Sequence, residues 1–284
     1  MADDTEILRY AAFSRDPAAG NPAGVVPDAS GLDAGQMQRI AAEVGFSETA
    51  FLVPGPGRAQ HLDVRYFSPL AEVPFCGHAT IAAAVALAER DGPAHLTLRT
   101  LAGDVGVSTR YDEDRALVAA LTSVAPRLDP LPAADLDEIL SSLGWSADDL
   151  DPQLPPRVAF AGAWHPVVAA ATRARLADLT YDFGRLGRLM AEGDWITVAL
   201  VWRESAGVFH TRNPFPPGGV VEDPATGAAA AAFGAYLRKL DLIDVPATLT
   251  LHQGEDLGRP SRLTVDVPSG DGPITVSGHA VEMP

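Results

Sequence analysis

The sequence predicts an α/β (α+β) protein of two similar domains, and three observations predict it. Short strands and helices alternate, but without the strict βαβ rhythm of a doubly wound sheet. One motif occurs twice at a constant offset of 150 residues. Between the copies, from about Ser123 to Arg157, the composition shifts toward proline and aspartate and marks a domain boundary.

Along the chain, Ile7 to Phe13 reads as an opening strand. The turn-rich Asp16-Pro17-Ala18-Ala19-Gly20-Asn21-Pro22 follows it. Asp33 is placed to cap a helix through Met37, Ile40 and Val44, and Gly45 suits its end. Thr49 to Val53 is a short apolar strand with Glu48 at its mouth. His61 to Phe67 alternates, with Leu62, Val64 and Tyr66 on one face; Leu96/Leu98 and Val105/Val107 repeat that pattern. A short helix falls around Asp137 to Leu143. Ile196 to Trp202, Thr248 to His252 and Leu263 to Val267 read as further strands. The last, Ile274 to Val276, could return to either half.

Composition narrows the function. With 284 residues, 47% of them hydrophobic, the chain can bury a substantial core. A net charge of −16 argues against a nucleic-acid partner, whose affinity needs clustered Lys and Arg. No apolar run approaches the ~20 residues of a membrane helix; the longest candidate, Ala79 to Ala88, is interrupted by Thr80. The start, Met1 to Glu6, is acidic where a signal peptide is basic, so a cytoplasmic location is expected. The single cysteine, Cys76, means no internal disulfide and no cysteine-based zinc site, and it reads as a small buried hydrophobe. The seven histidines contain no His-x-x-x-His pair, so no metal is expected. Nucleophile-elbow, P-loop and dinucleotide-binding motifs are missing from the sequence.

The repeat carries the chemistry. Glu72-Val73-Pro74-Phe75-Cys76-Gly77-His78-Ala79 aligns with Glu222-Asp223-Pro224-Ala225-Thr226-Gly227-Ala228-Ala229, and each copy leads into an alanine-rich helix. Phe67-Ser68-Pro69 precedes one copy and Phe215-Pro216-Pro217 the other. A helix start exposes N–H groups and the positive end of the helix dipole. If a pseudo-twofold relates the halves, both starts meet in one cleft. Gly77, His78, Gly227 and Ala228 then offer N–H donors to a small anionic (carboxylate) substrate without any lysine or arginine.

These motifs carry a resemblance. Gly20-Asn21-Pro22-Ala23-Gly24-Val25-Val26, Gly45-Phe46-Ser47-Glu48-Thr49-Ala50-Phe51, the two repeat copies and Gln253-Gly254 with Gly258-Arg259-Pro260-Ser261 resemble the PhzF-like (phenazine-biosynthesis-like) family in order and spacing. The resemblance implies the diaminopimelate epimerase fold, in which each domain is a mostly antiparallel, barrel-like sheet around a central helix. It implies domains at 1–115 and 116–271, with 272–284 rejoining the first, and a homodimer. It further implies a cofactor-independent isomerase with Glu48, His78 and Asp223 as catalytic residues. The substrate carboxylate would lie on the backbone of Gly77 and Gly227. Ala228 stands where the phenazine enzyme has serine, which keeps an N–H but removes a hydroxyl contact. A two-thiol racemase is excluded, because the second half lacks a cysteine.

In such chemistry one carboxyl takes a proton and returns it, which needs a pKa raised toward the working pH. Phe46 and Phe51 flank Glu48 and make that desolvation plausible. A one-base epimerase and a non-catalytic, metabolite- or protein-binding relative remain as alternative readings.

Overall fold

The computed structural model describes residues 5–54 and 61–284. Residues 1–4 of the acidic start lie outside the described residues. Seventeen strands and six α-helices follow one another among the described residues. The first part holds β1 (Leu8–Ala12), β2 (Asn21–Val26), α1 (Ala34–Val44), β3 (Glu48–Pro54), β4 (His61–Phe67), β5 (Glu72–Val73), α2 (Gly77–Asp91), β6 (His95–Thr100), β7 (Gly103–Tyr111) and β8 (Leu117–Thr122). Next come β9 (Arg127–Pro130), α3 (Ala133–Leu143), β10 (Arg157–Phe160), β11 (Trp164–Ala169), α4 (Arg173–Ala177), α5 (Phe183–Glu192) and β12 (Ala199–Arg203). The chain continues with β13 (Val208–Phe215), β14 (Val220–Asp223), α6 (Gly227–Lys239), β15 (Ala247–Gln253), β16 (Ser261–Val267) and β17 (Thr275–Glu282).

Contacts divide the chain into two units, Met1–Thr122 with Ser277–Pro284, and Ser123–Val276. The expected boundary at 115/116 falls seven residues short. Residues 117–122 form β8, and its ladder with β7 ties them to the first unit. The reach of the final strand also exceeds the expected 274–276, because Ala280 to Glu282 pair with β1.

In the first unit β1, β2, β3, β4, β6, β7, β8 and β17 pair in that order, and β17 returns to β1, so eight strands close a barrel. An eight-stranded barrel has room inside for little more than side chains. Helix α2 nevertheless packs against β1, β2, β3, β7 and β8, with every residue from His78 to Ala86 buried. Burial on all faces marks a helix enclosed by its sheet. Alanine at 79, 82, 83, 84 and 86 makes this fit; larger side chains would overpack the interior. Helix α1 lies against Val26, Phe51 and Phe67 through Met37, Ile40 and Ala41. Asp33 accepts from Gln36 N at 2.8 Å in a capping box, and Gly45 closes the helix at φ 72°. That left-handed turn is one a β-carbon disfavours.

The second unit pairs its strands in the order β9, β10, β11, β12, β13, β15, β16, with β14 on β13. Helix α6 is buried from Ala229 to Arg238 and packs on β9, β10, β11 and β16. At Gly234 a β-carbon would come within 2.8 Å of Val265, so this glycine sets how closely helix and sheet approach. Helices α3, α4 and α5 build another core with Val158, Val168 and Leu200. The strand expected from Ile196 starts later, at Ala199, after Trp195 has bridged to Trp164.

The sequence repeat is a repeat of structure. In each unit a strand (β4, β13) pairs with a short antiparallel strand (β5, β14) and a buried helix follows (α2, α6). The next strand (β6, β15) runs parallel to the first and turns into a hairpin (β7, β16). Both copies also carry an arginine that the alignment did not reveal. Arg65 on β4 grips Glu72 at 2.6 and 2.7 Å, and Arg212 on β13 grips Glu222 at 2.5 to 3.1 Å.

Candidate active site

Two groups of side chains hold the residues singled out from the sequence, one in each unit. In the first, Glu48 opens β3 opposite Ala23 of β2. Cys76 is the N-cap of α2 and His78 its second residue. Thr80 pins this helix start by donating to the Cys76 carbonyl at 2.6 Å and meeting the Tyr66 hydroxyl at 2.6 Å. The start of β3 and the start of α2 thereby bring three candidate side chains together. His78 Nε2 lies 3.5 Å from Glu48 Oε2 and 3.3 Å from Ser47 Oγ. Cys76 Sγ lies 3.6 Å from Glu48 Oε2 and 3.3 Å from His78 Nδ1.

Burial raises the Glu48 carboxyl above its ordinary value of 4.5, against weaker opposing hydrogen bonds from Ser47 and Cys76. This is the shift a carboxyl needs to hold a proton and give it up. It also has a consequence for stability. A raised pKa means the folded chain binds more protons than the unfolded chain between 4.5 and the raised value. The stabilisation is therefore complete below 4.5 and is lost as pH rises through the raised pKa. Glu48→Gln should raise the melting temperature at neutral pH, and the gain should shrink to nothing below about pH 4.5. Thermal unfolding of both proteins across pH 3.5 to 8 checks this; a gain that does not change with pH would contradict it.

Cys76 is buried as expected, and its sulfur also faces the Glu48 carboxylate and the His78 imidazole. Neither Cys76 nor Ser47 was assigned a role from the sequence. Both stand within one or two residues of Glu48, Gly77 or His78, and adjacency to a candidate was the available signal.

In the second unit Asp223 ends β14 and is buried, opposite Asn213 of β13. Its carboxylate accepts from the Thr226 hydroxyl at 2.6 Å. Gln253 completes the arrangement: its amide nitrogen donates to the Asp223 carbonyl at 2.7 Å, and its oxygen accepts from Thr226 N at 3.0 Å. Gly254, at φ 74°, permits this approach, since a β-carbon there would meet the Arg259 carbonyl and lie 2.8 Å from that of Pro224. Asp223 is not the helix cap; Thr226 holds that place. Gly227 and Ala228 are the first residues of α6, Gly227 buried and Ala228 half-buried. Neither N-cap residue, Cys76 nor Thr226, makes a side-chain cap hydrogen bond, and neither helix has an acidic residue in its first turn.

Comparison with known proteins supplies the class. An uncharacterized isomerase of Mesorhizobium japonicum is 33% identical over 97% of this chain and 96% of its own length. The trans-2,3-dihydro-3-hydroxyanthranilate isomerase of Pseudomonas chlororaphis is 32% identical over 88% of this chain and 86% of its own. The crystal structure of a PhzF-family phenazine biosynthesis protein from Bacillus anthracis superposes with a TM-score of 0.88 at 29% identity, covering 99% and 97% of the two chains. Fold and relatives together define an isomerase of mixed α/β architecture. More particularly, the family model for phenazine biosynthesis-like proteins matches residues 10–283, and the chain belongs to that family.

Among the described residues no helix is long and apolar enough to cross a membrane.

Proposed function

We propose that this isomerase shifts a proton within a small carboxylate substrate, without a cofactor, using Glu48 as its single acid-base. The observation that carries the reading is the desolvated Glu48 carboxyl, with its pKa raised, 3.5 Å from His78. Glu48 removes a proton from carbon and returns it elsewhere on the conjugated system, so the enzyme ends each turnover as it began. His78 stabilises the charge that develops as the proton leaves. In the second unit Asp223, fixed by Thr226 and Gln253, is a candidate contact for the polar groups of a substrate. The candidate carboxylate donors are backbone N–H groups at a helix start, Gly77 in the first unit and Gly227 with Ala228 in the second. The trans-2,3-dihydro-3-hydroxyanthranilate named for the Pseudomonas relative is a suitable first substrate. A homodimer is the assembly we expect.

The test is a screen of small unsaturated carboxylic acids with the purified protein in deuterium oxide. Isomerisation is the expected result, with deuterium entering the new C–H position to the extent that the Glu48 carboxyl exchanges with solvent before it returns the proton. A catalysed reaction that leaves the double bonds in place but inverts a stereocentre would identify an epimerase instead. The carboxylate subsite has its own test. Gly227→Val adds bulk at the first, buried position of α6 and should weaken binding of an aromatic carboxylate at least tenfold, about 1.4 kcal/mol. Ala228→Ser keeps the backbone donor and should bind as well or slightly better. Calorimetric titration that finds equal affinity in Gly227→Val and the parent protein removes Gly227 from the site.

A further inference from the structure

We propose that Glu48, Cys76 and His78 also form an open three-ligand site for a borderline-soft divalent cation, Zn²⁺ in the first instance. The sequence argued against zinc because it has one cysteine and no closely spaced histidines. A local zinc motif needs closely spaced cysteines or histidines, whereas these three side chains come from the start of a strand and the start of a helix.

The separations of the three ligand atoms are close to those of a metal triangle. Sγ to Oε2 is 3.6 Å, Nε2 to Oε2 is 3.5 Å and Sγ to Nε2 is 3.8 Å. Tetrahedral zinc, with bonds of ~2.3 Å to sulfur and ~2.0–2.2 Å to nitrogen and oxygen, separates its ligand atoms by roughly 3.4–3.6 Å. Sγ lies nearer Nδ1, at 3.3 Å, so the imidazole must turn about its Cβ–Cγ bond to aim the Nε2 lone pair at a point shared with Sγ and Oε2. All three ligand atoms lie within 4.8 Å of one another.

The donor set agrees with the geometry. Thiolate, imidazole and carboxylate together favour Zn²⁺ over Mg²⁺ or Ca²⁺, which prefer all-oxygen shells. Binding releases the thiol proton to solvent, and the α2 N-terminus helps to hold the resulting thiolate. The carboxylate and thiolate charges then offset the helix end's repulsion of the cation. Glu48 keeps a partly exposed side chain, at 14%, which leaves a path for the ion. Three protein ligands leave the fourth position to water or a substrate oxygen. The net charge of −16 raises the local concentration of cations.

A bound ion would occupy the carboxylate, so zinc would inhibit the isomerase. This consequence rests on the acid-base reading of Glu48; the binding site does not.

Cobalt(II) alone, added to the reduced full-length chain, provides the direct readout. The expected result is a thiolate-to-cobalt charge-transfer band that saturates at one equivalent and is abolished by Zn²⁺. Cys76→Ser should lose the band, and His78→Ala and Glu48→Gln should each weaken binding at least ~10-fold, with melting curves confirming that each variant is folded. A readout on the unaltered protein runs in parallel. Cys76 is the chain's one thiol, so Zn²⁺ should slow its alkylation by iodoacetamide, followed by mass spectrometry. No charge-transfer band at millimolar cobalt, or an unchanged spectrum in Cys76→Ser, would overturn the site and leave the acid-base reading intact. Cobalt or zinc bound through Cys76 without loss of turnover would keep the site and count against Glu48 as the acid-base.

Discussion

Glu48→Gln is expected to lower turnover by at least ~10²-fold while substrate affinity stays within a few-fold. Glutamine keeps the size of the side chain and can still hydrogen-bond to His78 and Ser47, but it cannot carry the transferred proton at any accessible pH. The loss should therefore fall on kcat, because the substrate is held by groups other than this carboxyl. The parent enzyme should also show a pH–rate profile with one limb set by Glu48, displaced above the ordinary carboxylate value of 4.5 by burial. In Glu48→Gln that limb should vanish. Steady-state kinetics over pH 4 to 9 measures both effects. A glutamine variant turning over near the parental rate would sink the mechanism, whatever its affinity.

The second large effect is on stability. Arg212 and Glu222 form a bidentate ion pair with side chains 9% and 0% exposed, and Arg212 also donates to the Ala177 carbonyl at 2.7 Å. Burial pushes the Glu222 carboxyl up, and Arg212 pulls it back down. Arg212→Met removes that counter-charge and leaves a buried carboxylate without it, which costs about 3–5 kcal/mol. At roughly 2–4 °C per kcal/mol for a domain of this size, the melting temperature should fall by about 10 °C. The repeat supplies an internal control. Arg65 and Glu72 make the same bidentate pair with side chains 33% and 25% exposed. Water screens that pair, and Arg65→Met should cost only about 1 kcal/mol. Denaturant melts of the two variants compare the pairs directly. Similar losses at both would show that burial does not set the cost.

The same two pairs show where sequence reading reached and where it stopped. Glu72 and Glu222 stood out because Pro and Gly follow each at the same spacing, which is local information. Their arginines could not be found that way. Arg65 precedes Glu72 by seven residues and Arg212 precedes Glu222 by ten, so a constant offset aligns one pair member and misses the other. The α1 cap was legible for the opposite reason, since Asp33, Gln36 and Gly45 act within one helix. Strand β2 was obscured because Asn21 and Pro22 are strong turn residues. Its pairing with β1 and β3 overrides that preference.

Sequence alone determined the duplicated α/β plan, the family resemblance and the identity of Glu48, His78 and Asp223 as the residues to watch. Each depends on residue order, and spacing preserves order whatever the fold. Tertiary structure alone decided the surroundings of those residues. It closed eight strands around an alanine helix, which requires that Ala280 meet Ala12 and Glu282 meet Tyr10 across nearly the whole length of the chain. It set Cys76 against Glu48, 28 residues away, and Gln253 against Asp223, 30 residues away. Such contacts follow from how the strands register and how closely the helices pack, and small side chains permit many registers. Burial then chose one, and with it the raised carboxyl and the cysteine's polar neighbours, because only the packed chain excludes water from them.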